Sequence, residues 1–202
     1  MNSSDENVES KQLVSDEGEA PGAIHLGCVV GSEVLKAIES DSILPGVLVH
    51  LSTALRDQYG NSIDASELKG KLVGLYFSAG WCGPCRQFTP ILSKFHNDNI
   101  DDFRVVFVSM DRSEQAMLEY IRGKGFLRVD YGSRARKDLI SALSVSSLPT
   151  LIVVNPEGEI VTSSGRFAIN SNPERCIEEW HKGSSGVRCC KCLSSLCFGS
   201  YN

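Results

Sequence analysis

Leu72 to Cys85 reads LVGLYFSAGWCGPC: a nearly unbroken apolar run over Leu72 to Ser78, a three-residue bridge, then two cysteines separated by Gly83 and Pro84. An apolar run of that length suits a strand covered on both faces, as strands of a parallel sheet are. Behind Cys85, Phe88, Leu92 and Phe95 recur at helical spacing, and Pro90 is expected to kink that helix without abolishing it. A second short apolar run, Val105 to Met110 (VVFVSM), completes a βαβ unit. The two cysteines therefore stand between a buried strand and the start of a helix.

That position dictates their chemistry. A sulfur at a helix N-terminus meets N–H donors without intrahelical partners and the positive end of the helix dipole, both of which favour thiolate over thiol. Cys82 is thus the nucleophile. A drop in its pKa from about 8.5 to about 7 raises the thiolate fraction at neutral pH roughly sixteenfold, while the loss of intrinsic nucleophilicity takes back about sixfold. The net gain in attack rate is only about threefold, so the larger benefit lies in leaving-group quality and in Cys85 being held close as the resolving cysteine. One helical turn keeps the two sulfurs within disulfide range, and Gly83 and Pro84 shape the first turn. Trp81 is expected to shield the dithiol and pack on substrate, a plain core aromatic being the alternative. Arg86 either adds positive potential or is a solvated helix-face residue.

Two other readings of the pair compete with redox chemistry. A structural zinc knuckle wants a second Cys or His pair at ligand spacing, but Cys28 and Cys176 are isolated and His96 is alone, so no metal is expected in the domain. Two inert buried thiols are the other. A peroxidase of the peroxiredoxin kind is disfavoured because Ala79 occupies the place, three before the first cysteine, where that chemistry needs Thr. Farther along, Ser147-Leu148-Pro149-Thr150 precedes another apolar run. A cis peptide before Pro149 leaves the backbone of Leu148 free to pair with an extended substrate across the dithiol, whereas a trans proline merely starts a strand.

Working outward, Ser113 can cap a helix through Ala116, Met117, Tyr120 and Ile121, and Ser133 another through Leu139, Ile140 and Leu143. Thr150 to Val154 and Ile160 to Ser163 flank Asn155-Pro156-Glu157-Gly158, which predicts an antiparallel hairpin. A last helix is expected after Ser171 or Asn172, with Pro173 in its first turn and Ile177 and Trp180 presented inward. The chain has 202 residues, 42% hydrophobic and 22% charged, enough for one buried core with appendages. Residues 1–40 read as a largely disordered extension, because the first twenty hold six acids against Lys11 alone and Ala23 to Ser40 is ambiguous. The folded domain is expected over 41–182, and 183–202 as a flexible Gly/Ser linker leading into a cysteine-rich tail.

The net charge of −5 resides in those first twenty residues, so the balanced remainder offers no field for phosphate backbones and no nucleic-acid partner is expected. No apolar run reaches the roughly 18 residues of a spanning helix, and the start lacks a secretory leader, so a reducing, cytoplasmic setting is expected, with nuclear or membrane-associated pools as further options. Four of the eight cysteines, Cys189, Cys190, Cys192 and Cys197, crowd the C-terminus beside Arg188, Lys191, Leu193, Leu196 and Phe198. S-acylation, which attaches the chain peripherally to a membrane, competes there with metal binding and with idle thiols.

Together these motifs resemble the thioredoxin-like superfamily, and within it the nucleoredoxin and tryparedoxin branch. Leu44-Pro45-Gly46, Leu68-Lys69-Gly70-Lys71 running into GLYFSAGWCGPCRQFTP, then VVFVSMDRSEQAMLEYI and LPTLIVVNPEGEIVTSSGR follow that branch in order and spacing. Two departures stand out: Gly83 where the branch usually has Pro, and Gly125-Phe126-Leu127-Arg128-Val129 where it usually carries Met-Pro-Trp. The resemblance implies an α/β fold with a central mixed sheet flanked by helices. It also places Tyr76 where thioredoxins proper have a buried Asp. With a pKa near 10, tyrosine is no base at neutral pH, so water or another polar group near Cys85 is expected to take the proton. The implied activity is that of a monomeric protein-disulfide reductase that needs no cofactor beyond its own dithiol and works between protein disulfides and an upstream thiol reductant. A redox-sensitive binding module with incidental turnover is the alternative.

Overall fold

The computed structural model describes residues 45–187, so the acidic N-terminal stretch, Ala23 to Ser40 and the four tail cysteines lie outside the described residues. Along the chain run β1 (Leu55–Arg56), β2 (Leu72–Ser78), α1 (Gly83–Asp98), β3 (Phe103–Ser109), α2 (Glu114–Ile121), β4 (Leu127–Val129), α3 (Arg134–Ala142), β5 (Thr150–Val154), β6 (Ile160–Thr162), α4 (Gly165–Ser171) and α5 (Pro173–His181). The strands form one six-stranded sheet in the order β1-β4-β3-β2-β5-β6. β2, β3 and β4 are parallel to one another, while β5 runs antiparallel to β2, β6 to β5 and β1 to β4. This is the mixed α/β sheet that the family resemblance implies.

Every residue of β2 is buried, as an apolar run without alternation requires. Its two faces serve two cores. Leu72 and Tyr76 pack with Phe88, Leu92, Phe103 and Trp180, whereas Val73, Leu75 and Phe77 pack with Leu51, Val106, Val108 and Leu139. Gly74 is a packing requirement, since a Cβ there would stand 2.5 Å from the Phe103 ring and 3.1 Å from Leu151. α1 continues through Pro90 for sixteen residues and buries Phe88, Leu92 and Phe95.

Several local expectations are corrected. β1 and β4 were not anticipated, because two and three residues leave too little periodicity and β4 carries Arg128, which is buried on an ion pair with Glu114 and a bond to the Asp57 carbonyl. α4 was likewise missed, so Ser171 ends one helix instead of capping the next; Asn172 stands at the N-cap of α5, as one of the two expected positions, but makes no side-chain capping bond. Ser113 does cap α2 through the Ala116 N–H, but the Ser133 hydroxyl donates to the Asp130 carbonyl, and α3 stops before Leu143. Residues 183–187, read from composition as linker, fold back. Gly183 (φ +72°) turns the chain so that Ser184 N–H bonds the Glu179 carbonyl, Trp180 Nε1 donates to the Ser185 carbonyl, and Val187 packs on the core.

Candidate redox site

β2 ends at Ser78, and its continuation delivers the dithiol. Cys82 N–H bonds the Ala79 carbonyl in a tight turn, and Cys82 itself is the N-cap of α1, with extended dihedrals (φ −85°, ψ 113°). Its sulfur accepts the Cys85 backbone N–H at 3.3 Å. That is one of the donors a helix start leaves without an intrahelical partner. Gly83 opens the helix and Pro84 follows it in the first turn, where a missing N–H costs nothing. Cys82 and Cys85 are joined in a disulfide with Cα atoms 5.2 Å apart; Cys85 is fully buried and Cys82 is 6% exposed.

Trp81 is not a core aromatic. Its side chain is 58% exposed beside the dithiol, and its indole N–H donates to the Met110 carbonyl at 3.2 Å. Arg86 is exposed on the helix face and ties itself to the same turn through the Gly80 carbonyl (3.1 Å). Leu148 and Pro149 reach the site from the other side, because the sheet register sets Thr150 opposite Phe77, two residues before Ala79. The Leu148–Pro149 peptide is cis, and the backbone groups of Leu148 have no partner among the described residues.

Behind the cysteines runs a buried line of hydroxyls that the sequence reading did not find. Thr89 Oγ1 donates to the Cys85 carbonyl at 2.9 Å, which consumes its one proton. Tyr76 (2.8 Å) and Tyr120 must therefore both donate to Thr89, and Ser78 must donate to Tyr120 (3.2 Å). Burial pushes the Tyr76 phenol well above its ordinary value, so it stays protonated and serves as a fixed donor. This agrees with the expectation that Tyr76 is no base.

A second hub missed by sequence reasoning lies at the end of β3. The buried Asp111 carboxylate accepts the Gly80 N–H (2.8 Å) with one oxygen and the Ser109 hydroxyl (2.9 Å) with the other. Three consecutive carbonyls there are each held by a different element: Ser109 by Arg136 from α3, Met110 by Trp81, and Asp111 by the Tyr131 hydroxyl. The signal was in view, since a carboxylate directly after the apolar run VVFVSM is either exposed or satisfied by a specific partner.

Other sulfur and imidazole groups stand apart. Cys176 is buried, bonded to the Asn172 carbonyl, and burial pushes its thiol up to about 11. His96 is buried at the far end of α1. Among the described residues no three His, Cys, Asp or Glu side chains are grouped to hold a metal ion, and no helix is long and apolar enough to cross a membrane.

A family model described as thioredoxin-like matches residues 70–160. Nucleoredoxin of Mus musculus is 39% identical over 127 residues, which is 60% of this chain but 29% of that protein, so this chain spans under a third of that relative. Among solved structures, native tryparedoxin I from Crithidia fasciculata superposes with a TM-score of 0.59 at 36% identity, covering 64% of this chain and 93% of that one. A thioredoxin from Wuchereria bancrofti gives 0.56 at 35% identity, over 66% of this chain and 96% of that one. With the mixed sheet, the capping cysteine and these relatives taken together, the chain belongs to the thioredoxin-like family, in its nucleoredoxin and tryparedoxin branch.

Proposed function

We propose that this chain is a protein-disulfide reductase in which Cys82 attacks and Cys85 resolves. The observation that carries the reading is the Cys82 sulfur at the N-cap of α1, facing the Cys85 N–H, with Cys85 buried behind it. In the reduced chain that donor and the helix dipole favour the Cys82 thiolate. The thiolate attacks one sulfur of a substrate disulfide; a Cys82–substrate bond forms, the substrate S–S bond breaks, and the departing thiolate takes a proton from solvent. Cys85 then loses its proton and attacks Cys82 Sγ, releasing the second substrate thiol and leaving the Cys82–Cys85 disulfide. Two electrons and two protons have passed to the substrate, and a small or protein thiol reductant restores the dithiol by the reverse exchange.

No bound cofactor enters this scheme, because the electron pair is stored in the sulfur bond itself. The exposed Trp81 indole and the free backbone of Leu148 before Pro149 offer an extended segment an apolar platform and a strand to pair with. Reduction of insulin disulfides by the full chain in the presence of dithiothreitol tests the reading: multiple turnovers above the uncatalysed rate, abolished by Cys82→Ser, are expected. A stoichiometric complex that is lost on oxidation, with no turnover, overturns it in favour of a redox-gated binding module.

A further inference from the structure

The described residues hold ten arginines, and five of them pair with carboxylates: Arg56, Arg104, Arg128, Arg134 and Arg175. Of the rest, four collect at the dithiol end of the sheet with no carboxylate partner among the described residues. Arg86 holds the Gly80 carbonyl beside Trp81. Arg136 bonds the Ser109 carbonyl, stacks 4.2 Å from the Tyr131 ring, and keeps a buried Nε without a hydrogen-bond partner. Arg166 lies over the ring of Phe88, one turn beyond Cys85, and Arg112 follows the turn-holding Asp111.

The acids near this rim are already occupied. Asp111 is committed to Gly80 and Ser109, and Glu114 to Arg128. Unlike the rim, the opposite end of the sheet carries acids outside any ion pair among the described residues, Asp101 and Asp102 between α1 and β3 and Glu157 and Glu159 at the β5–β6 turn. A seven-residue strand separates the two ends by about 20 Å, more than twice the roughly 8 Å screening length at physiological ionic strength, so the far acids do not neutralise the rim.

Resting on the proposed reductase activity, we propose that this arginine rim makes the chain select disulfides embedded in acidic protein segments, with Arg112 and Arg166 as the specificity-determining pair. Arg86 and Arg136 spend part of their donors on backbone carbonyls and supply fixed background charge. Arg112 and Arg166 make no hydrogen bond among the described residues, and both are exposed where a carboxylate flanking a disulfide that lies across Trp81 can meet them. Such attraction acts mainly on encounter, so it raises the second-order rate constant and fades with salt.

The test uses three disulfide peptides identical except for flanking Glu, Ser or Lys residues, each mixed with the pre-reduced full chain in a single turnover and quenched with acid. At low ionic strength the Glu peptide is expected to react about tenfold faster than the Lys peptide, with Ser between them, and the ratio should approach one near 1 M salt, where the screening length falls to about 3 Å. The double substitution Arg112→Glu and Arg166→Glu should invert the Glu-to-Lys ratio measured within that variant. Equal rates for the three peptides in the wild-type chain, or a ratio indifferent to salt, overturn the specificity while leaving the reductase reading intact. Failure of all three peptides to react overturns that reading and the specificity with it.

Discussion

The two ends of α1 put the same helix to opposite uses. At its N-terminus the chain supplies a capping sulfur, hydrogen-bonded turns and an exposed indole, with Asp111 from the end of β3 and Arg86 from the first turns of the helix fastening the Ala79–Gly80–Trp81 bridge. At its C-terminus Phe95 packs edge-on against Phe103 and Trp180, with ring centroids 5.4 and 5.8 Å away, and His96 is enclosed beside Phe126. One end is organised by polar bonds around a reactive group and the other by aromatic burial. The contrast teaches that fold stability and redox chemistry are carried by separable sets of residues on one element.

The strongest challenge to that separation is Trp180→Ala. Removing a fully buried indole is expected to cost about 3–5 kcal/mol in urea unfolding. Exchange rates measured at temperatures where the variant remains folded should stay near wild type; a collapse of exchange in the folded variant breaks the comparison. Asp111→Ala should act the other way. It strips the Gly80 N–H and the Ser109 hydroxyl of their acceptor, costing about 1–3 kcal/mol, and should also slow insulin reduction because the bridge leading to Cys82 loses its anchor. Asp111→Asn, which keeps an acceptor oxygen, should recover most of the rate.

The smallest effect concerns pH. Burial, opposed by bonds to the Gly125 and Phe103 carbonyls, leaves the folded His96 pKa below its ordinary 6.5. As pH falls, the unfolded chain therefore takes up the proton first, so the stability contributed by the neutral ring is complete above about 6.5 and is lost progressively below it. A urea series from pH 7.5 to 5 should show this decline, and His96→Gln should flatten it. A decline of equal size in the variant assigns the pH dependence to other groups.

The same contrast marks what could be read from sequence. The strongest local patterns were legible: the buried β2, the helix through Phe88, Leu92 and Phe95, the β5–β6 hairpin, and the two cysteines at a helix start, whereas the weaker signals at Ser133, Ser171 and residues 183–187 misled. Groups whose roles depend on distant partners were not. Thr89 and Tyr120 are 31 residues apart, as are Gly80 and Asp111, and no periodicity encodes such meetings. β1 and β4 escaped for a related reason, since such short strands are defined by their neighbours in the sheet and not by their own composition. The place of Trp81 beside the dithiol was legible, but the bond from its indole N–H to the Met110 carbonyl, 29 residues away, was not.

The central claim, that Cys82 attacks and Cys85 resolves, is tested most directly by trapping. Full-length Cys85→Ser and Cys82→Ser chains are each reduced, exposed to insulin, quenched and digested, and the mixed disulfides are located by mass spectrometry. An insulin adduct on Cys82 in the Cys85→Ser chain and none on Cys85 in the Cys82→Ser chain are expected; an adduct of equal or greater yield on Cys85 would contradict these roles.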